Sequence, residues 1–142
     1  MYPSNSEATF FKKASQEDLL SFCVFNDLFF TIQPHHRLIA DALERIENGS
    51  LKRLRIEMPP RSGKSRMVQE FVAWMYGRNP RRDVIYTGHS VGLLQGFSRN
   101  IRNRIQSSQY ANVFDTRVAS DSSAVNNWNV HNGGEFAVYG VG

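Results

Sequence analysis

A short run near the middle of the chain, Met58-Pro59-Pro60-Arg61-Ser62-Gly63-Lys64-Ser65, lies between two apolar patterns of different period. Before it, Leu51, Leu54, Ile56 and Met58 make a short apolar stretch with the spacing of a strand. After it, Met67, Val68, Phe71, Val72 and Met75 recur at helical spacing. A strand, a glycine-bearing loop and a helix in that order make an anion-binding corner. The loop N–H groups converge, the helix adds the positive end of its dipole, and the glycine lets the main chain come close. A nucleoside triphosphate, with about four negative charges, suits such a corner.

In that arrangement Gly63 makes the close approach. Lys64 reaches the β- and γ-phosphates, and the Ser65 hydroxyl lies on Mg²⁺. The general phosphate-loop pattern is G-x-x-x-x-G-K-[ST], and Met58 stands where its first glycine would be. Arg61 is a second cation within the loop. Its planar fork can contact the γ-phosphate or stabilise transition-state charge, or it can be a solvated side chain beside Pro60.

The rest of the chain alternates helix and strand. Residues 1–14 are polar and are expected to be loose, with Ser15 and Asp18 as a capping pair that opens a helix to about Asn26. Pro34 ends any helix before it. Leu38, Ile39, Ala42, Leu43 and Ile46 fall at helical spacing, and Asn48-Gly49 stops that helix. Gly77 to Pro80 close the helix that follows the loop. Asp83 to Thr87 predicts a buried strand. Ser90 opens a helix whose apolar face is Leu94, Phe97, Ile101 and Ile105, with Arg99, Arg102 and Arg104 largely off that face. Residues 107–127 are polar and irregular, anchored by Tyr110, Val113 and Phe114. Two short strands, Asn127 to Val130 and Glu135 to Tyr139, flank the turn Asn132-Gly133-Gly134. The order predicts an α/β fold, a parallel sheet flanked by helices.

Composition narrows the function classes. The net charge is +4, from 17 Lys plus Arg against 13 Asp plus Glu, which fits a phosphate-bearing partner or simply a solvated basic surface. Cys23 is the single cysteine, so no intramolecular disulfide can form. His35 and His36 are adjacent and point apart on a helix, which argues against a metal pair there. No apolar run approaches about 18 residues, and the first residues lack a signal-peptide pattern, so a reducing cytoplasm is expected. Trp74 and Trp128 fit core anchors better than base-stacking platforms. The three arginines after Ser90 can touch DNA phosphates or form a solvated helix face.

Several stretches together resemble one family. These are Arg55 to Ser65, Phe71 to Pro80 (FVAWMYGRNP), Val84 to Ser90 (VIYTGHS) and Phe97 to Arg104 (FSRNIRNR), with the glycine-rich stretch up to Gly142. They look like the ATPase domain of large terminase subunits, the DNA-packaging motors of tailed bacteriophages. The likeness covers roughly residues 30–142. The Pro-Pro-Arg-x-Gly-Lys-Ser form, without the first glycine, is typical of that family.

The resemblance implies an additional-strand P-loop NTPase fold over residues 31–142 behind an N-terminal helical segment, residues 1–30. It implies ATP and Mg²⁺ as cofactors and double-stranded DNA, the portal protein and a small terminase subunit as partners. It also implies a homo-oligomeric ring that works in the host cytoplasm, transiently at the procapsid portal vertex. Pro60, Arg61, Ser62, Gly63, Lys64 and Ser65 then contact the nucleotide, with Arg61 and Lys64 catalytic and Ser65 on the metal. The family also contacts adenine upstream of the loop, often through a Gln. Gln33 can fill that role or can simply precede a helix.

Hydrolysis in such proteins needs an apolar strand ending in an Asp for Mg²⁺, then a carboxylate that activates water. The only adjacent acidic pair, Glu17-Asp18, lies in the N-terminal segment, and Asp83 begins a strand. The expectation is therefore an ATPase part cut before the second acidic motif and without the family's nuclease domain. The alternatives are another P-loop protein, a helicase-like translocase or a kinase, and a non-catalytic DNA- or portal-binding fragment. On the terminase reading these 142 residues alone hydrolyse ATP very slowly. Steady-state turnover at or above about 1 per second would contradict it.

Overall fold

The computed structural model describes residues 5–27, 31–60, 62–120, 124–131 and 133–141. The chain divides into two compact units, Met1–Trp74 and Met75–Gly142.

The first unit is helical. It holds α1 (Asn5–Glu17), α2 (Leu19–Asn26), α3 (Pro34–Glu47) and most of α4 (Lys64–Arg78). The N-terminal stretch is thus a helix, not the loose segment its polarity predicted. Glu7, Ala8, Lys12, Lys13, Ala14 and Gln16 are good helix formers, and packing supplies the rest. Ser15 lies inside α1 and is buried, and its carbonyl accepts the Trp74 indole N–H at 3.1 Å. Asp18 alone caps the next helix, its carboxylate accepting the Ser21 N–H at 2.8 Å.

Helix α2 buries Leu19, Leu20, Phe22, Cys23 and Asn26, so apolar side chains occupy most of its circumference. Ile39, Ala40 and Leu43 from α3, and Met67, Phe71, Val72, Ala73 and Trp74 from α4, are the other buried apolar residues among those described in this unit. Glu44 on α3 accepts the Leu19 N–H at 2.8 Å. Burial raises its pKa against the pull of that N–H, and the neighbouring Asp18 and Asp41 carboxylates raise it further. Pro34 opens α3 rather than closing a helix before it, which suits a residue with fixed φ and no N–H to offer. Asn48 caps the far end, and Gly49 takes φ +86° beyond it.

The expected strand over Leu51–Met58 is absent. Residues 51–59 have no ladder partner, and the first unit contains no strand among its described residues. A strand exists only when a neighbour takes its N–H and C=O groups. The alternation is still visible in the side chains. Arg55 and Glu57, two residues apart, form an exposed ion pair at 2.5 Å, while Ile56 and Met58 are half-buried.

The second unit is α/β. It contains the last turn of α4, then β1 (Val84–Gly88), α5 (Val91–Ile105), the single turn α6 (Ser108–Ala111), β2 (Asn127–Asn129) and β3 (Glu135–Gly140). The strand order is β1-β3-β2. β1 and β3 run parallel with Val84 opposite Phe136, and β2 and β3 run antiparallel with Trp128 opposite Phe136. The sheet is therefore small and mixed where a parallel one was expected. β2 and β3 are joined by a hairpin, which can only return the chain antiparallel.

Ser90 caps α5, and its predicted face, Leu94, Phe97, Ile101 and Ile105, is buried. Aromatic rings fill this core. Trp128 stacks on Phe136 with centroids 5.0 Å apart, and Tyr76 lies 5.9 Å from Trp128. Tyr86 stacks on Phe97 at 4.0 Å. Both tryptophans are fully enclosed, as expected of core anchors.

The hairpin turn is held by backbone contact. Gly134 N–H donates to the Pro80 carbonyl at 2.7 Å, and a Cβ on Gly134 would lie 1.8 Å from the Arg82 carbonyl oxygen. Only glycine allows that approach.

A polar relay crosses the same core. The Trp128 indole N–H donates to Ser98 Oγ at 2.9 Å, and Ser98 Oγ donates to the Val125 carbonyl. Removing the hydroxyl strands a buried donor. Ser98→Ala should lower stability by about 1–3 kcal/mol, measured as a shift in urea midpoint followed by tryptophan fluorescence.

Candidate functional site

The phosphate-loop residues meet the start of α4. The Gly63 carbonyl accepts the Met67 N–H at 3.0 Å, the first bond of the helix, so Gly63 is its N-cap and Lys64, Ser65 and Arg66 form its first turn. Their N–H groups belong to the set that a helix leaves without partners in its own ladder. Gly63 has φ +83°, in the left-handed region that residues with a Cβ avoid.

A hollow of about 270 Å³ opens here, lined among the described residues by Pro59, Pro60, Ser62, Gly63, Lys64, Ser65 and Arg66. Lys64 is half-buried, and its ammonium donates to the Met58 carbonyl at 3.3 Å, across the loop. Ser65 is exposed. Arg66 pairs with Asp27, the C-cap of α2. Arg61, a candidate catalytic residue, lies outside the described residues.

Gln33 is the N-cap of α3, and its side chain is exposed. It does not line the hollow. Its backbone N–H donates to His36 Nδ1 at 3.0 Å, which joins the helix start to the histidine beside it.

The two histidines are the residues that the sequence did not connect to the loop. His35 Nε2 lies 2.9 Å from the Ser62 carbonyl. A carbonyl only accepts, so His35 carries its proton on Nε2. His36 is buried, and its Nε2 would stand 3.1 Å from a Cβ added at Gly63. Burial is the largest influence lowering its pKa, and the nearby His35 adds to it. The neutral ring suits its Nδ1, which must be unprotonated to accept the Gln33 N–H. Nothing in the spacing of Pro34-His35-His36 indicates a loop 27 residues further along.

The described residues include no group of three or more His, Cys, Asp or Glu side chains placed to hold a metal ion. Arg99 is exposed on α5, and Arg102 and Arg104 are half-buried. No helix among the described residues is long and apolar enough to cross a membrane. Comparison with protein-family models, with curated proteins and with solved structures finds no match.

Two effects oppose a side chain at position 63, the positive φ and the His36 ring. Gly63→Ala should therefore cost about 1–2 kcal/mol from the backbone alone. Gly96→Ala, within α5 where an added Cβ meets nothing within 4 Å beyond its chain neighbours and its own helix backbone, should instead stabilise by about 0.5–1 kcal/mol. Urea denaturation of the two variants side by side tests the contrast.

Proposed function

We propose that the loop at residues 58–65 binds the phosphates of ATP and that the chain is the ATP-binding part of a phage large terminase. The supporting observation is the conjunction at Gly63. A left-handed glycine caps a helix whose first residues are Lys64 and Ser65, and the same residues line a hollow. Glycine at that point permits the left-handed turn into the helix, and the helix start supplies N–H groups and a positive dipole end.

The residues present fit the group. Among the described residues Lys64 donates to the Met58 carbonyl at 3.3 Å, and a charged phosphate oxygen would be a stronger acceptor for it. Ser65, exposed in the first turn, would offer its hydroxyl to Mg²⁺. One protein ligand suffices for that ion when phosphates and water complete the octahedron. Bound ATP would supply the phosphoanhydride whose cleavage powers DNA movement. The chain's own residues orient it and neutralise its charge. The terminase assignment itself, with its additional-strand fold, double-stranded DNA, portal and small-subunit partners and ring assembly, is supported by the Pro-Pro-Arg-Ser-Gly-Lys-Ser form and the flanking stretches.

Calorimetric titration with Mg-ATP provides the test. The wild type should bind, and Lys64→Ala should weaken binding by about 10- to 100-fold, the loss of one charge-assisted bond. Equal affinity in both would remove Lys64 from the site. A wild type that binds duplex DNA but no ATP at millimolar concentration would favour a binding module without nucleotide chemistry.

A further inference from the structure

We propose that His35 and His36 are positioning residues for phosphate binding, fixing the Ser62–Gly63 peptide from the start of α3. This rests on the phosphate-loop reading of residues 58–65. Neither imidazole lines the hollow, so neither is a phosphate ligand here. Their contacts are with the loop main chain.

The geometry gives each ring a separate task. His35 Nε2–H holds the Ser62 carbonyl at 2.9 Å. The peptide bond that follows is trans, like every described peptide in the chain. In a trans peptide the C=O and the next N–H point in opposite directions. Holding the Ser62 oxygen toward α3 therefore turns the Gly63 N–H away from α3. A phosphate-binding nest needs its successive N–H groups to converge on one side. A free loop must spend conformational entropy to reach that state, whereas a tethered one is already there.

His36 sets the other half. Its ring is buried and fills the space where a side chain at position 63 would go. The ring is itself oriented by Gln33, whose N–H donates to Nδ1 at 3.0 Å. Gln33 thus acts through its backbone at the N-cap of α3, whatever its side chain does. The chain of contacts runs from the α3 cap, through two rings, to two consecutive loop residues.

The test uses two probes, Mg-ATP and inorganic triphosphate, with the full chain. His35→Ala should weaken both by about tenfold, the usual scale for one positioning hydrogen bond. Both should fall by the same factor, because the loss lies in the phosphate part. His35→Gln, whose amide N–H can reach the Ser62 carbonyl, should recover most of the affinity. The amide resonance of Gly63 should move in the alanine variant and return in the glutamine variant, with or without ligand. That readout holds even where the alanine variant is less stable.

Wild-type affinity for triphosphate in His35→Ala, with an unmoved Gly63 resonance, would overturn the proposal and leave the phosphate loop standing. Loss of affinity that His35→Gln does not restore would also overturn it, since the hydrogen bond would then not be the cause. Absence of ATP and triphosphate binding in the wild type would instead remove the phosphate-loop reading, and this proposal with it.

Discussion

The left-handed turn at Gly63 constrains most of what the first unit can do. It lets the chain enter α4 with Lys64 and Ser65 in the first turn, and it leaves room for the His36 ring. A Cβ there would meet both a strained φ and an imidazole that cannot easily retreat. Gln33 holds one side of that ring, and the ring is buried. The conformation is therefore supported from outside the loop. Helix α3 is the support, and Pro34 and Asn48-Gly49 fix where that helix starts and stops.

The second unit depends on a different device, a stack of rings closed by a close backbone approach. Tyr76, Trp128 and Phe136 lie in series, from the last turn of α4 through β2 to β3. The Tyr76 hydroxyl donates to the Glu135 carbonyl at 3.0 Å, and Thr116 donates to the Tyr76 carbonyl at 3.1 Å. Burial raises the Tyr76 pKa, so the phenol stays a donor. Gly134 then brings the hairpin onto the Pro80–Arg82 main chain, and Asp83 accepts the Glu135 N–H at 2.9 Å. Three residues of one short connection thereby fix where β3 begins.

Much of this was legible in the sequence where a local pattern sufficed. The apolar face of α5, its Ser90 cap, the two strands around Gly133-Gly134 and the burial of Trp74 and Trp128 all follow from period, capping chemistry and size. Failures occurred where a distant partner decides. Helix α1 shows no clear apolar period in the sequence, and its packing includes the Trp74 bond 59 residues away. Residues 51–58 have the alternation of a strand but no ladder partner among the described residues. In the candidate site, the glycine, lysine and serine could be placed by motif alone. The two histidines and the Asp27–Arg66 pair could not, because nothing local ties residue 35 to 62 or 27 to 66.

The sheet order has a consequence for how copies of the chain behave together. Among the described residues, β1 has a ladder partner only in β3, so one edge of Val84–Gly88 has no strand beside it. Ile85 on that strand is 68% exposed. Such an edge is a template for a further strand, in cis or from another molecule. The charges leading into it, Arg81, Arg82 and Asp83, are the kind of flanking residues that slow unwanted strand addition by solvation and like-charge repulsion. The five residues of β1 are thus the place in the described sheet where addition of a further strand would begin.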